Sequence, residues 1–184
     1  MNAATTANRP EIQSAQSIGE RSASPKEAVA VLHVVNGEHY AGAERVQDLL
    51  ALRLPDEGFL VGFACLKPDR FPRVRQAAAA PLESLAMRSR FDLRAAAALA
   101  RMVRKGNYAI LHAHTPRAAM VARMASIATG APMVYHVHSP TVRDSTHKWQ
   151  NRANALVERA SLLGKVPLIT VSHSLATHMR MQGY

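Results

Sequence analysis

The chain has 184 residues, 48% of them apolar, enough to build one domain with a sizeable core. Lys and Arg outnumber Asp and Glu by 23 to 13, and the formal charge of +10 favours an anionic partner (nucleic acid, a membrane surface or a phosphorylated substrate) unless it is simply an Arg-rich surface. The single Cys65 excludes an internal disulfide and a cysteine metal site, and no apolar run matches a membrane span or a signal-peptide core, so a cytoplasmic location is expected.

Residues 1–27 are rich in Ala, Ser, Thr, Asn and Gln and almost lack large apolar side chains, which predicts a disordered tail. The domain is expected to occupy 28–184. It opens on the β-branched apolar run 28–35, which fits a strand buried on both faces. A loop holding Gly37 and Gly42 follows. Residues 43–54 then carry Ala43, Val46, Leu49, Leu50 and Leu54 at helical spacing, predicting an apolar helix face. A second strand is predicted over 59–66, a loop with the cations Lys67, Arg70, Arg73 and Arg75 over 67–75, and a short third strand over 82–87. Residues 91–105 read as an Ala-rich helix with Arg94, Arg101 and Lys105 along one side.

Residues 109–140 organise the rest of the chain. An apolar run ends in His112-Ala113-His114, a helix starts at Pro116, a turn at Gly130-Ala131-Pro132 closes it, and a second apolar run ends in His136-Val137-His138. That is a β-α-β unit with a His-x-His pair at the carboxyl end of each strand, the end where ligands bind in a parallel sheet. A helix over 146–163 (Trp149, Ala153, Leu156, Val157 and Ala160 on one face), a sixth strand over 166–171 and a helix over 172–182 complete the pattern. Strands alternating with helices call for an α/β, Rossmann-like, mostly parallel sheet with helices on both faces.

Three features bear on chemistry. Gly37 and Gly42 sit between a buried strand and a helix, where doubly wound folds approach a phosphate. The spacing is not G-x-G-x-x-G, however, and no acid ends the second strand, so a dinucleotide site is not expected. The two His-x-His pairs could hold zinc, but no Cys or carboxylate lies within a few residues of either and the nearest acid is Asp144, so no metal is expected. A hydrogen-bonding or acid/base role falls instead to His138, nearest the strand mouth, with His112 and His136 read as packed, satisfied strand-end histidines. In the turn Ser172-His173-Ser174, either serine suits a helix N-cap.

Val31-Leu32-His33-Val34 followed by Ala41-Gly42-Ala43-Glu44-Arg45-Val46 resembles the G-G-x-E-R loop of family-4 retaining glycosyltransferases. The segment from Ile110 to Ala118 is similar to their H-A-H-x-P-x-A motif, Pro132 to His138 to their P-x-V-x-x-x-H strand, and Ile169-Thr170-Val171-Ser172 to their V-S strand-to-helix turn. The resemblance implies one half of a GT-B fold, the amino-terminal, acceptor-side domain, which faces a donor-binding domain across a cleft. It implies that Gly42 lies near the donor diphosphate and that His138 hydrogen-bonds the transferred sugar, while His114, Ser139 and Ser172 line the acceptor side. It implies no cofactor and no metal, with a nucleotide-sugar as co-substrate and a sugar or lipid acceptor from an envelope lipid or polysaccharide precursor. Two departures stand out: Ala41 replaces the first glycine of the loop, and the 184 residues are expected to hold no carboxyl-terminal donor domain with its E-x7-E motif. The chain is therefore expected to be inactive alone and to need that missing domain or a partner chain. The basic segments 67–75 and 88–105 would suit peripheral contact with an anionic inner membrane. The alternatives are a non-catalytic α/β partner-binding module or one subunit of a split transferase. Nucleic acid is set aside, since aromatics are 5% of residues and no recognisable module is present.

Overall fold

A computed structural model describes residues 28–89, 92–139, 148–164 and 166–184, with the backbone alone for 148–150. The predicted tail 1–27 lies outside the described residues. The elements run β1 (Val29–Val35), α1 (Gly42–Arg53), β2 (Phe59–Cys65), α2 (Arg70–Val74), β3 (Leu82–Ser84), α3 (Leu93–Lys105), β4 (Ile110–Ala113), α4 (Pro116–Thr129), β5 (Met133–Val137), α5 (Lys148–Ser161), β6 (Leu168–Thr170) and α6 (His173–Met181). The six strands form one sheet in the order β3-β2-β1-β4-β5-β6, and every pairing is parallel. This is the doubly wound arrangement, and its switch point falls between β1 and β4.

Alternate residues of the strands feed two cores. Leu32 and Val34 of β1, Leu111 and Ala113 of β4, and Tyr135 and Val137 of β5 join the Ala-rich inner faces of α3 and α4 in the larger one. Val35, Phe63 and Cys65 join Ala51 of α1 and Phe71 of α2 in the smaller. Alanine at Ala95, Ala96, Ala118, Ala119, Ala122 and Ala125 lets α3 and α4 pack with little side chain in between. Thr115 caps α4, its hydroxyl accepting from the Ala118 amide at 3.2 Å, and Gly130 ends the helix in the left-handed conformation at φ 80°.

The structure departs from the periodicity of the sequence in two helices. In α1 the buried residues are Glu44, Gln47, Asp48 and Ala51, whereas the predicted face residue Leu49 is 50% exposed. Polar side chains turn inward because the fold supplies their partners. Gln47 donates to the Val34 carbonyl at 3.2 Å. Asp48 accepts from the Tyr40 hydroxyl (2.7 Å) and from the amides of Gln76 (2.7 Å) and Ala77 (2.9 Å). In α5, Asn151, Glu158 and Ser161 are buried while Leu156 is 70% exposed, and Glu158 accepts a 2.6 Å hydrogen bond from Tyr135. The predicted loop 67–75 also contains the short helix α2, and β3 is half the length expected.

The basic stretch after β2 is largely engaged within the molecule. Lys67 pairs with Glu38 (2.9 Å) and Arg73 with Asp69 (3.2 Å). Arg75 lies over the Phe63 ring and donates to the carbonyls of Ala77 and Ala80. No helix among the described residues is long and apolar enough to cross a membrane.

Candidate functional site

The register of the sheet assembles the site. His33 of β1 lies opposite His112 of β4, and β4 pairs with β5, so residues two apart on three adjacent strands face the same way. The result is a continuous array of five imidazoles. Ring centroids are 4.9 Å apart for His33–His112, 4.3 Å for His112–His114, 4.8 Å for His114–His136 and 4.5 Å for His136–His138. His33 is fully buried and His138 half-buried, so the array runs from the interior beside Phe63 to the mouth of the sheet.

Among these rings one hydrogen bond is formed: His114 Nδ1 and His138 Nε2 stand 2.9 Å apart, one donating to the other according to tautomer. Both nitrogens of His33, Nε2 of His112, Nε2 of His114 and Nδ1 of His136 are buried without a protein partner. His112 and His136 are thus packed as expected, but not satisfied. Burial, reinforced by the neighbouring imidazoles, holds His33 and His114 well below the ordinary histidine pKa and lowers His112 and His136 to about 4. His138 is also lowered by burial, against the pull of the nearby Glu44 carboxylate. Burial thus favours the neutral form throughout the array, His138 included.

The glycines play different parts. Gly37 has φ +86°, and a Cβ there would clash with Cys65 Sγ. Its carbonyl accepts from the amides of Asp69 and Phe71, so it ties two loops together. Gly42, at the start of α1, is exposed, and a Cβ there would meet nothing within 4 Å. Ala41 before it offers no side-chain acceptor, and Glu44 reaches back to the Ala41 amide at 3.4 Å.

Ser139 follows β5 directly beyond His138 and is exposed. Ser172 follows β6, the strand next to β5, and its hydroxyl caps α6 by accepting from the Leu175 amide at 3.2 Å. The structure thus brings His114 and His138 into contact and gives Ser172 a structural task. At the switch point, Asn36 after β1 accepts from Arg117 of α4 at 2.9 Å. These two residues, with Thr115, Met120, Asn154 and Val157, line a cavity of about 160 Å³.

Two participants stand in the motif of β1 and α1 but carry no site role in the sequence reading. His33 lies far along the chain from both His-x-His pairs, and only strand order makes it a neighbour. Glu44 is buried on α1 and acts electrostatically on His138, although 94 residues separate them.

Comparison with solved structures places this architecture. The sucrose-phosphate synthase of Thermosynechococcus elongatus superposes with a TM-score of 0.64 at 16% identity, covering 83% of this chain and 45% of that one. HepE of Anabaena, solved in complex with UDP, gives 0.54 at 15% identity over 84% of this chain and 50% of its own. MurG of Acinetobacter baumannii gives 0.55 at 13% identity over 76% and 44%. At these identities the likeness is one of fold, and the chain spans half or less of each of these proteins. A search of curated proteins by sequence finds no match. Residues 41–184 match the glycosyl transferase 4-like domain family. That match covers most of the chain and includes both His-x-His pairs and the α1 amino terminus, so the protein belongs to the glycosyl transferase 4-like family and has the Rossmann-like fold of one domain of a GT-B glycosyltransferase.

Proposed function

We propose that this domain is the acceptor-side wall of a retaining glycosyltransferase that moves a sugar from a nucleotide-sugar to an envelope lipid or polysaccharide precursor. The observation carrying this reading is the His114–His138 pair at the carboxyl mouth of β4 and β5, within a domain of this family. In either tautomer the 2.9 Å contact engages Nε2 of His138 and leaves Nδ1 as its remaining polar atom. If His114 donates, Nδ1 of His138 carries the proton and can hydrogen-bond an oxygen of the transferred sugar. A neutral, pre-oriented donor suits a reaction in which charge builds around the anomeric carbon.

Gly42 is proposed to lie against the donor diphosphate, where its open surroundings admit a close approach to the α1 amide groups. His114, Ser139 and Ser172 are proposed to border the acceptor. A UDP-sugar donor is supported by analogy with HepE, which is described with UDP. A second domain or a partner chain is proposed to hold most of the nucleotide, since this chain covers half or less of its structural relatives. The transfer step asks no metal of this chain, and the uncommitted basic side chains are proposed to contact an anionic membrane in the cytoplasm.

The test is transfer from a panel of nucleotide-sugars to a membrane extract. The 184-residue chain alone is expected to transfer nothing, because donor and acceptor are not held together in a water-poor cleft. In a two-domain enzyme reconstituted with a donor-binding domain, His138→Ala should cut turnover on the order of 10²-fold with little change in acceptor KM. Robust transfer by the chain alone, or unchanged turnover in His138→Ala, refutes the reading.

A further inference from the structure

We propose that His114, His136 and His138 form a binding site for one borderline transition-metal dication, zinc being the type case. Each of the three offers a ring nitrogen, and these nitrogens all lie within 4.8 Å of one another. In a tetrahedral zinc site with Zn–N bonds of ~2.0–2.1 Å, two ligand nitrogens stand about 3.3 Å apart. The His114 Nδ1–His138 Nε2 pair, now at 2.9 Å, needs to open by only a few tenths of an ångström to admit an ion. His136, on β5 two residues before His138, completes the trio, and its Nδ1 is buried without a partner. Imidazole ligands suit zinc and its neighbours rather than magnesium or calcium.

The surroundings separate this trio from the one beside it. His33, His112 and His114 also cluster within ligand range, but all three are buried. The outer trio includes the half-buried His138 at the mouth of the sheet, so an ion can enter and keep an open coordination position. With Nδ1 on the ion, His114 becomes the Nε2–H tautomer. That N–H is buried among the unpartnered nitrogens of His33 and His112, and their lone pairs can accept it. The buried orphans of the inner array thereby gain the role that a metal-bound histidine asks of its neighbours.

Charge compensation comes from α1. No carboxylate is near the histidines in sequence, and on that ground no metal was expected. In the folded chain the charge of the buried Glu44 acts on His138, against the effect of burial. Such a countercharge favours a dication held by three neutral rings. The inference does not rest on the transferase reading, and its test uses no sugar.

The experiment is zinc titration, by calorimetry, of the untagged, chelator-treated 184-residue chain, with cobalt(II) visible absorption as a second readout of tetrahedral coordination. One ion per chain is expected. His138→Gln and His136→Gln should each weaken binding by about 100-fold or more, and Glu44→Gln by about tenfold. Circular dichroism and melting in chelator check folding, and His138→Gln, at the open mouth, suffices if His136→Gln does not fold. Absence of saturable binding overturns the proposal. So does binding that survives His138→Gln, whether it is then lost in His33→Leu or traced to the exposed His39 and His173.

Discussion

Asp48 is the sharpest test of how α1 is held, because it is a carboxylate 1% exposed on a helix whose Leu49 and Leu52 are exposed. Asp48→Ala removes acceptors from the Tyr40 hydroxyl and from the amides of Gln76 and Ala77. Tyr40 is partly buried and Gln76 exposed, so both can turn to water, but the buried Ala77 amide is left unpaired. An orphaned buried donor costs about 1–3 kcal/mol, and hydrogen bonds to a charged group contribute about 1.5–3 kcal/mol each without adding fully. Together these give a loss of about 3–5 kcal/mol, a large share of a typical domain stability of about 5–15 kcal/mol. Asp48→Asn keeps the volume and one acceptor but turns an NH2 toward donors, so it should recover only part. Urea denaturation should show the midpoint falling at unchanged slope, and hydrogen exchange should quicken at Gln76 and Ala77 before the sheet is affected. A loss below about 1 kcal/mol, or an Asn variant as stable as the parent, would refute the argument that this polar face anchors the helix.

Three further outcomes are expected. His112 and His136 titrate near 4 in the folded chain against about 6.5 unfolded, so the unfolded state binds more protons and stability, full above 6.5, falls as pH drops toward 4. Each such histidine should cost about 1.3 kcal/mol between pH 7.5 and 5.5, measured by denaturation in chelator; a flat profile would mean that the rings are not neutral in the fold. His33→Leu removes two unpartnered nitrogens, so it should narrow that loss by one histidine's share, and an unaltered pH slope would show otherwise. Gly42→Ala should leave the melting temperature nearly unchanged while weakening donor use in a two-domain enzyme, whereas Gly37→Ala, with its positive φ and the clash at Cys65, should destabilise by about 2 kcal/mol or more; equal melting shifts would contradict the contrast.

The sequence alone determined the strands, their alternation with helices and the placement of a His-x-His pair at the end of two of them. Strand and helix signals are local: β-branched apolar runs, Pro116 at a helix start, Gly130 at its end, Ala-rich periodicity in α3. The inward faces of α1 and α5 were not legible, because hydrophobic periodicity assumes that burial follows apolarity. Asp48 and Glu158 are buried by partners that lie 8 to 29 residues away along the chain. The five-histidine array belongs to the same class. His33 reaches His112 only because β1 and β4 are neighbours at the switch point, and Glu44 acts on the charge of His138 only in the folded chain. Strand order is set by which surfaces pack best over the whole chain, so tertiary structure decided both the membership of the site and its charge.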